Sequence, residues 1–500
     1  MNKHLKKAYL LIVLSSLLSS CGIVSSSQSN SSASAFSYMT YTSQAALITP
    51  YQGKVHISDE NGVKKVGTTY TVDPFDTSAV IKYYVAYPTG SSAASRDTAF
   101  EESFSDAFQR YHALFDRHNN YCDDNGLINN VKVLNDSYGS GKEVILDQEL
   151  FTALKEAVSF CSTVKGKFNI GIGNLSSIWD SYISASITYD DSYTDEMKQC
   201  FIDSENQRRV IFIDPPKTWI AHGVKTTPTP EELVSSLTFN ETTRGVSFLP
   251  IKRIDDYLAT DEAKNIVSAA KSFGIDLGKP SLTLGGFGKG EATELFADKY
   301  PEKSFLINSG ASSVKCNSGK PDGTGWNLTI ANPYYYEASR EGFYADLNLN
   351  SSDLVLQADG TFNMSTSGYY NQYYYVKQSD GSYLLRCHII DASSSTPGYS
   401  HSYFAATSVL MNDSGLADMI TTSLMNTDSV EEAESLLKTI SEAYPGQNIN
   451  SFYLVNDPSS SGKKTTCYAE EAIFDEFKFA KDLYPTSYTF DSITTMSKIS

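Results

Sequence analysis

The sequence predicts an α+β fold in which mixed β-sheets are flanked by helices. Residues 80–87 and 451–455 are rich in β-branched and aromatic side chains, as is typical of strands. Residues 97–115 and 429–444 carry apolar side chains at helical spacing and predict amphipathic helices. Apolar residues make up 41% of the 500 residues and charged residues 20%, which is enough apolar material for a core.

The remaining elements follow from the same two patterns. Further strands are predicted at residues 281–284, 304–308, 326–330 and 404–410, together with a tyrosine-rich hairpin at residues 369–385. Further helices are predicted at residues 147–164, from Pro230 onward, at residues 261–272 and at residues 416–424. The polar residues 118–130 predict a loop, and the glycine-containing residues 166–174 predict a strand with a bulge.

The most informative stretch is a glycine-rich loop, Leu-Gly-Gly-Phe-Gly-Lys-Gly at residues 284–290, which precedes a helix-type segment. Glycine lets the backbone approach a ligand closely, and amides at a helix N-terminus favour anions. Lys289 adds a positive charge, so the loop suits a phosphate or pyrophosphate. Its spacing matches neither the P-loop nor the dinucleotide-binding fingerprint. A turn that only packs a strand against a helix remains an equal alternative.

A second candidate site lies on the predicted helix at residues 416–424. Asp418 and Thr422 are four residues apart, so their oxygens face the same side of the helix. One carboxylate and one hydroxyl suit Mg²⁺, which takes oxygen ligands and keeps positions for phosphate or water. The alternative is an ordinary polar helix.

Residues 1–20 have the organisation of a lipoprotein signal peptide. A lysine-containing start precedes an apolar segment, residues 8–18, that is too short to span a bilayer. Leu-Ser-Ser-Cys at residues 18–21 resembles a bacterial lipobox, in which Cys21 becomes the lipidated N-terminus; an ordinary secretory signal is the alternative. We expect residues 21–50 to be a serine-rich tether and residues 51–500 to be the folded domain. The protein would then lie on the extracytoplasmic face of the cell membrane, held only by its lipid.

Charge and cysteine content narrow the range of partners. The net charge of −18 argues against nucleic acid as the main partner. None of the six cysteines other than Cys21 forms a C-x-x-C pair, so a zinc site is not expected. The six other cysteines allow disulfides or free buried thiols: Cys122, Cys161, Cys200, Cys316, Cys387 and Cys467.

Several short stretches, taken in order, resemble the ApbE-type flavin transferases, which are FAD:protein FMN transferases and in many cases bacterial lipoproteins. The resemblance covers roughly residues 70–456. The matching stretches are residues 75–77, 111–121, 166–179, 284–290, 365–368, 388–391 and 417–422.

This resemblance implies Mg²⁺-dependent transfer of FMN from FAD to a Thr or Ser hydroxyl of an extracytoplasmic acceptor protein, with release of AMP. It implies an FAD cleft between the glycine loop and the metal-binding helix. The matching positions for FAD contacts are Phe75 and Tyr121 at the flavin ring and Lys167, Phe168, Asn169, Thr283, Lys289 and Ile390 elsewhere. The matching metal ligands are the Gly286 carbonyl, Asp418 and Thr422, and His388 is the candidate base beside the catalytic Asp418.

Three positions depart from the family pattern. Thr283 stands where the family usually has Asp, Ala311 replaces a Gly, and residues 392–395 read Ala-Ser-Ser-Ser instead of Pro-x-Thr-Gly. These differences leave open a second function, that of a surface lipoprotein that binds or hydrolyses FAD without transferring FMN. Residues 309–312 superficially resemble a flavin-acceptor motif, but we interpret them as part of the core.

Overall fold

The structure is a computed structural model, and it describes most of the chain from Phe36 onward. The described residues are 36–49, 53–65, 71–187, 200–202, 209–211, 214–310, 312–321, 325–331, 352–358, 362–369, 373–377, 379–380, 383–391, 396–397, 403–456, 465–479 and 493–499.

The strands, numbered along the chain, include several that match the predicted runs. They are β1 (Phe36–Gln44), β2 (His56–Ser58), β3 (Ala79–Pro88), β4 (Asn120–Asp123), β5 (Gly126–Leu127), β6 (Val144–Ile145), β7 (Cys200–Ile202), β8 (Arg209–Ile211), β9 (Leu237–Asn240), β10 (Gly245–Phe248), β11 (Phe305–Ser309), β12 (Ser313–Asn317), β13 (Trp326–Ala331), β14 (Ser352–Ala358), β15 (Phe362–Gly368), β16 (Tyr373–Lys377), β17 (Tyr383–Cys387), β18 (Ile390–Asp391), β19 (Thr396–Pro397), β20 (Ala406–Met411), β21 (Asn450–Asn456), β22 (Thr465–Glu470), β23 (Phe477–Phe479) and β24 (Ile493–Ile499).

The helices are distributed along the whole described chain. They are α1 (Thr98–Phe115), α2 (Val131–Asp136), α3 (Gln148–Thr163), α4 (Gly173–Ile187), α5 (Lys217–Thr226), α6 (Pro230–Ser236), α7 (Lys252–Leu258), α8 (Asp261–Ser272), α9 (Gly288–Ala297), α10 (Ser414–Met425), α11 (Val430–Ala443) and α12 (Glu471–Phe474). A 3₁₀ turn, Pro74–Asp76, precedes β3.

The largest sheet that the described residues form has nine strands, in the order β1-β3-β11-β12-β15-β20-β21-β22-β24. Neighbouring strands are antiparallel, except that β22 and β24 are parallel. Helices α1, α9 and α10 pack in a row on this sheet, with α1 over β1 and β3, α9 over β11 and β12, and α10 over β15 and β20. The predicted α+β fold with mixed sheets and flanking helices is therefore confirmed, and the sheet brings α9 and α10 together.

Two apolar cores hold these layers. The larger core joins α1 and α9 to the sheet through aromatic pairs, such as Phe100 and Phe104 with Phe296, whose ring centroids lie 5.5 and 5.3 Å apart. The smaller core lies between α4, α5 and α8 and contains Trp179 and Trp219. It draws on distant parts of the chain, from Leu175 on α4 to Ile390.

Polar side chains cap the starts of several helices. Asp97 accepts a hydrogen bond from the Phe100 amide at 3.1 Å and begins α1. Thr229 and Glu232 form a capping box at the start of α6, just before the predicted Pro230. These local signals place helix ends because they satisfy amides that have no partner within the helix.

Three local predictions were wrong. Residues 281–284 form no strand, because the Leu282 backbone is bonded by the Asn135 side chain and only Ser281 makes an isolated bridge. Residues 166–174 are turns leading into α4, and a Cβ at Gly173 would overlap the Ser281 backbone. Residues 118–130 contain two short strands, β4 and β5.

Part of the predicted tether belongs to the folded domain. Strand β1 pairs with β3 along nine residues at the edge of the large sheet, and its burial alternates along the strand. Residues 36–44 are rich in aromatic side chains and threonine, which are typical of strands, and a composition-based prediction of a flexible tether overlooks this signal. Residues 1–35, including Cys21, lie outside the described residues.

The cysteines whose side chains are described are buried, and none of them is part of a disulfide: Cys122, Cys161, Cys316, Cys387 and Cys467. Burial raises the pKa of the Cys161 thiol to about 12, so this thiol stays protonated. Among the described residues, no helix has both the length and the apolar character needed to cross a bilayer.

Candidate functional site

The glycine loop is a tight turn that leads directly into α9. The Leu284 carbonyl accepts hydrogen bonds from the amides of Phe287 at 3.2 Å and Gly288 at 3.0 Å. Leu284 and Phe287 are buried and anchor the loop in the core, whereas Gly285 and Gly286 are exposed. The loop therefore presents backbone without side chains at the surface, which is the arrangement predicted for close approach to a ligand.

The last glycine of the loop joins α9 to α10. The Gly290 amide donates a hydrogen bond to Asp418 Oδ2 at 2.9 Å, and a Cβ at Gly290 would overlap the Ser414 carbonyl. The anion bound by this first-turn amide is thus a carboxylate of the chain itself. Gly290 is needed here for close helix packing, a role that the sequence did not distinguish from ligand binding.

Asp418 is almost completely buried under the central strands. Its carboxylate also accepts hydrogen bonds from Ser313 at 2.8 Å to Oδ1 and from the Ser365 hydroxyl. Ser313 on β12 and Ser365 on β15 are directly paired across the sheet. Burial raises the pKa of Asp418, while the charge of Lys289 and these hydrogen bonds oppose that rise. The site therefore supplies Asp418 with donors that favour its ionised form.

The predicted metal ligands lie close together. The Thr422 hydroxyl donates to the Asp418 carbonyl at 3.0 Å, and a Cβ built on Gly286 would lie 3.8 Å from Thr422 Oγ1. Gly286 of the loop and Thr422 of α10 are therefore neighbours, as Gly290 and Asp418 are. Tertiary structure thus brings the loop to the helix that carries the other two candidate ligands.

These ligands fit Mg²⁺ by their chemistry. The Thr422 hydroxyl donates its hydrogen to a backbone carbonyl, so the lone pairs of its oxygen remain available to a cation. The Asp418 carboxylate accepts from three donors and so retains acceptor capacity for one further partner. Within the described part of the chain, no three His, Cys, Asp or Glu side chains could hold a metal together. A metal here would depend on the hydroxyl and the loop carbonyl besides Asp418.

The C-terminus of α10 gathers two further predicted segments. Asn426 Nδ2 donates to the carbonyls of Lys167 at 2.9 Å and Ile390 at 3.3 Å. Lys167 Nζ in turn donates to the Asn426 carbonyl at 2.5 Å. His388 lies two residues before Ile390 and is half-buried. The predicted base is thus attached, through its own segment, to the end of the predicted metal-binding helix.

Phe168 and Asn169, which were predicted to contact FAD, both interact with other parts of the protein. Phe168 is buried, and its ring lies 3.0 Å from a Cβ built on Gly286, so it packs against the glycine loop from the core side. The Asn169 side chain donates to the Pro228 carbonyl at 2.9 Å and accepts from the Gly171 amide at 2.7 Å. An FAD contact by Asn169 would therefore have to use its remaining capacity or its backbone.

Thr283 and Lys289 flank the loop as predicted. Thr283 Oγ1 is half-buried and lies 3.5 Å from the Gly285 amide, where a hydroxyl offers no negative charge. The Lys289 ammonium forms no hydrogen bond or ion pair with the described residues, although its charge acts on Asp418. Lys289 is therefore available to an anionic ligand at the loop.

Phe75 and Tyr121 lie at the other end of the site. A Cβ built on Gly288 would lie 3.1 Å from the Phe75 ring, so Phe75 packs against the glycine loop. Tyr121 is fully buried, and its hydroxyl donates to Asp116 at 2.6 Å. A direct contact between Tyr121 and a flavin would require this ring to become exposed.

Sequence reasoning missed several residues that shape the site. Ser313 carried no recognisable signal, because its partner Asp418 is distant along the chain. Ser365 lies in the matching stretch at residues 365–368, and a period of two places Ser365 and Ser367 on one face of a strand. His112 lies in the matching stretch at residues 111–121, but nothing in the sequence singled it out within that stretch. Asn426 had no signal. The departures at Ala311 and residues 392–395 lie outside the described residues.

The fold and this pairing of glycine loop with helix α10 define the class of protein. A model of the ApbE family matches residues 67–444, and the chain therefore belongs to the ApbE family. The predicted family, and with it the flavin-transferase type of enzyme, is confirmed by this match. No curated protein matches the sequence.

Solved structures of similar fold come from three bacteria. The flavinyl transferase ApbE of Pseudomonas stutzeri, in its apo form, has a TM-score of 0.51 and 13% identity, covering 89% of this chain and 98% of that chain. The flavin transferase ApbE of Vibrio cholerae has a TM-score of 0.49 and 14% identity, covering 80% and 95%. The ApbE protein of Thermotoga maritima has a TM-score of 0.47 and 16% identity, covering 83% and 98%. At 13% identity, the likeness to the Pseudomonas stutzeri structure concerns the fold alone.

Proposed function

We propose that this protein transfers FMN from FAD to a Thr or Ser hydroxyl of an extracytoplasmic acceptor protein and releases AMP. The observation that carries the proposal is the joining of loop and helix, with Gly290 bonded to Asp418 and Gly286 beside Thr422. A pyrophosphate lying over the exposed Gly285 and Gly286 would then sit next to an oxygen-rich cation site.

The reaction is an in-line displacement at the FMN phosphorus. The acceptor hydroxyl oxygen forms a bond to that phosphorus, the pyrophosphate P–O bond breaks, and AMP leaves with the bridging oxygen. His388 would take the hydroxyl proton, a role that suits histidine near neutral pH. Lys289 would pair with a phosphate oxygen and counter the charge of the departing AMP.

Asp418, Thr422 and the Gly286 carbonyl would hold Mg²⁺. When bound, the ion would polarise the pyrophosphate and neutralise developing charge. The chain's own contribution is to fix these ligands beforehand, since Ser313, Ser365 and the Gly290 amide hold the Asp418 carboxylate in one orientation.

The proposed location is the extracytoplasmic face of the cell membrane, with Cys21 as the lipidated N-terminus. The support comes from the signal-type segment and the Leu-Ser-Ser-Cys sequence. Replacing Cys21 with Ala should release the protein from the membrane fraction. Unchanged membrane fractionation of that variant would contradict the anchor.

The transfer is tested with purified protein, FAD, Mg²⁺ and a flavin-acceptor domain. Intact-mass analysis should show an acceptor heavier by one FMN residue, and chromatography should show AMP in equal amount. Omitting Mg²⁺ should abolish both products. An unmodified acceptor in the presence of bound FAD would contradict the proposal.

FAD hydrolysis is the second candidate function, and Thr283 is the observation that favours it. This loop position carries a hydroxyl in place of the carboxylate usual in the family. If water replaces the acceptor as nucleophile, the same assay will release free FMN and AMP while the acceptor mass stays unchanged. The two products therefore separate the two functions in one experiment.

A further inference from the structure

Phe75 adopts an unusual backbone conformation at the edge of the glycine loop. Its φ is 57° and its ψ is 26°, which places a bulky residue in the left-handed region. For a residue with a side chain this size, the conformation is strained and persists only when surrounding contacts impose it. A contact of Phe75 with its surroundings must therefore hold this backbone conformation.

The Phe75 amide is bonded to a buried histidine. Its N–H donates to His112 Nδ1 at 2.8 Å, and the two rings meet edge to face with centroids 5.6 Å apart. Because Nδ1 accepts this hydrogen, it cannot carry one itself. The contact therefore requires the neutral ring with its hydrogen on Nε2.

The other side of His112 fixes the same tautomer. Nε2 lies 3.0 Å from the Tyr121 hydroxyl, which donates its own hydrogen to Asp116 Oδ2 at 2.6 Å. Burial acts to raise the pKa of Asp116, but the neighbouring His112 and hydrogen bonds from Tyr121, Asn119 and His118 bring the pKa below its ordinary value. An ionised Asp116 can only accept, so Tyr121 donates to it and receives the Nε2 hydrogen.

We propose that His112 is a positioning residue for FAD, which holds Phe75 against the glycine loop only while its Nδ1 is unprotonated. The inference rests on the proposed function, since it assumes that FAD binds beside Phe75. Asp116 and Tyr121 act behind His112 by fixing its tautomer. The family resemblance implies a flavin contact for Tyr121; in the arrangement proposed here Tyr121 supports His112.

This arrangement makes FAD binding sensitive to pH. The described contacts place two titratable groups against His112. Asp116, just after the end of the same helix, has its Oδ2 3.7 Å from His112 Nε2, and Tyr121 lies on β4. The 3₁₀ turn contributes only the uncharged Phe75 amide. Protonation of Nδ1 removes the acceptor of the Phe75 hydrogen. FAD affinity should therefore be lower at acidic pH, once Nδ1 becomes protonated.

Two variants of His112 separate positioning from simple stability. In His112→Asn the amide oxygen lies near the former Nδ1 and can still accept from Phe75, but the side chain is too short to reach Tyr121. In His112→Gln the longer side chain reaches Tyr121 but leaves Phe75 without its acceptor. Both variants lose one buried contact of the ring, so their melting temperatures serve as the control.

FAD affinity is measured by quenching of flavin fluorescence between pH 5 and 8, without acceptor protein. We expect His112→Asn to bind FAD within about threefold of wild type and without the loss at acidic pH, and His112→Gln to bind about tenfold more weakly, as expected for one lost hydrogen bond. Equal affinities of the two variants would overturn the inference. The ¹⁵N spectrum of the free protein gives a second measurement, because a hydrogen on Nδ1 at neutral pH would also overturn it. Absence of FAD binding by wild type at every pH would instead overturn the proposed function, and the inference with it.

Discussion

Asp418 is a buried carboxylate and Glu291 a half-buried one on the same helix pair, and the groups around them differ. Asp418 on α10 is met by the Gly290 amide and two serine hydroxyls. Glu291 on α9 lies over Gly415 of α10. Burial raises the pKa of Glu291 to about 8, and the charges of Asp413 and other nearby carboxylates add to the rise.

The difference shows that burial alone does not identify a metal ligand. Burial disfavours the charge of both groups, but only Asp418 has donors and the Lys289 charge to oppose that effect. Glu291 is mainly neutral at pH 7 and fills space between the helices. A carboxylate suited to Mg²⁺ is therefore recognised by the groups that stabilise its ionised form.

The largest expected effect comes from Asp418→Ala. Transfer should fall by on the order of 10²-fold or more, because an electrostatic group aimed at the transition state is lost. FAD should still bind, because the substitution leaves Phe75 in place against the glycine loop. Transfer is measured by acceptor mass and FAD binding by fluorescence. Glu291→Gln is the matched control and should retain transfer; a wild-type rate for Asp418→Ala would rule out the metal assignment.

The second effect concerns stability and pH. Between the ordinary pKa of glutamate, 4.5, and about 8, folded Glu291 is protonated while the unfolded chain is ionised. The unfolded state then binds fewer protons, so the free energy of unfolding falls as the pH rises through this window. Because glutamine does not ionise, Glu291→Gln should not show this decrease in the free energy of unfolding. Its advantage over wild type in urea unfolding should grow by on the order of a few kcal/mol from pH 5 to pH 9.

A constant difference between Glu291→Gln and wild type across that range would show that Glu291 is ionised in the folded protein. The contrast with Asp418 would then disappear. Measurements with and without Mg²⁺ would establish whether a bound cation changes the result.

The third effect tests the packing that brings the two helices together. Gly290→Ala should lower the free energy of unfolding by about 1–3 kcal/mol, because the added methyl overlaps the Ser414 backbone. This cost should exceed the helix-propensity gain of about 1 kcal/mol. In Gly285→Ala the nearest atom to the new Cβ is Thr283 Oγ1 at 3.7 Å, so this control should unfold as wild type does. Equal melting temperatures for the two variants would contradict the requirement for glycine at position 290 in the packing of α9 against α10.

The smallest effect is expected for Thr422→Ala. Its hydroxyl is a neutral ligand that water can replace, so we expect less than about a tenfold loss of transfer at saturating Mg²⁺. The concentration of Mg²⁺ needed for half-maximal rate should rise. If Thr422→Ala were as inactive as Asp418→Ala, the hydroxyl would have a role beyond binding the ion.

Local signals in the sequence predicted the helices with strong periodicity and polar caps. Residues 97–115 become α1 with Asp97 at its start, and residues 429–444 become α11. The same signals failed at residues 281–284, where a side chain from α2 bonds the backbone that a neighbouring strand would otherwise pair. They also missed β1, because an edge strand of polar and aromatic residues resembles a tether in composition.

At the candidate site, the sequence by itself determined which residue types are present and their local spacing. Asp418 and Thr422 share a helix face because helical periodicity is local, and the glycines of residues 284–290 mark a turn for the same reason. Tertiary structure alone decided that Gly290 bonds Asp418, that Ser313 and Ser365 complete its donors, and that His112 holds Phe75. These contacts join residues far apart in the chain, and only the packing of α1, α9 and α10 on the sheet fixes the distances between them.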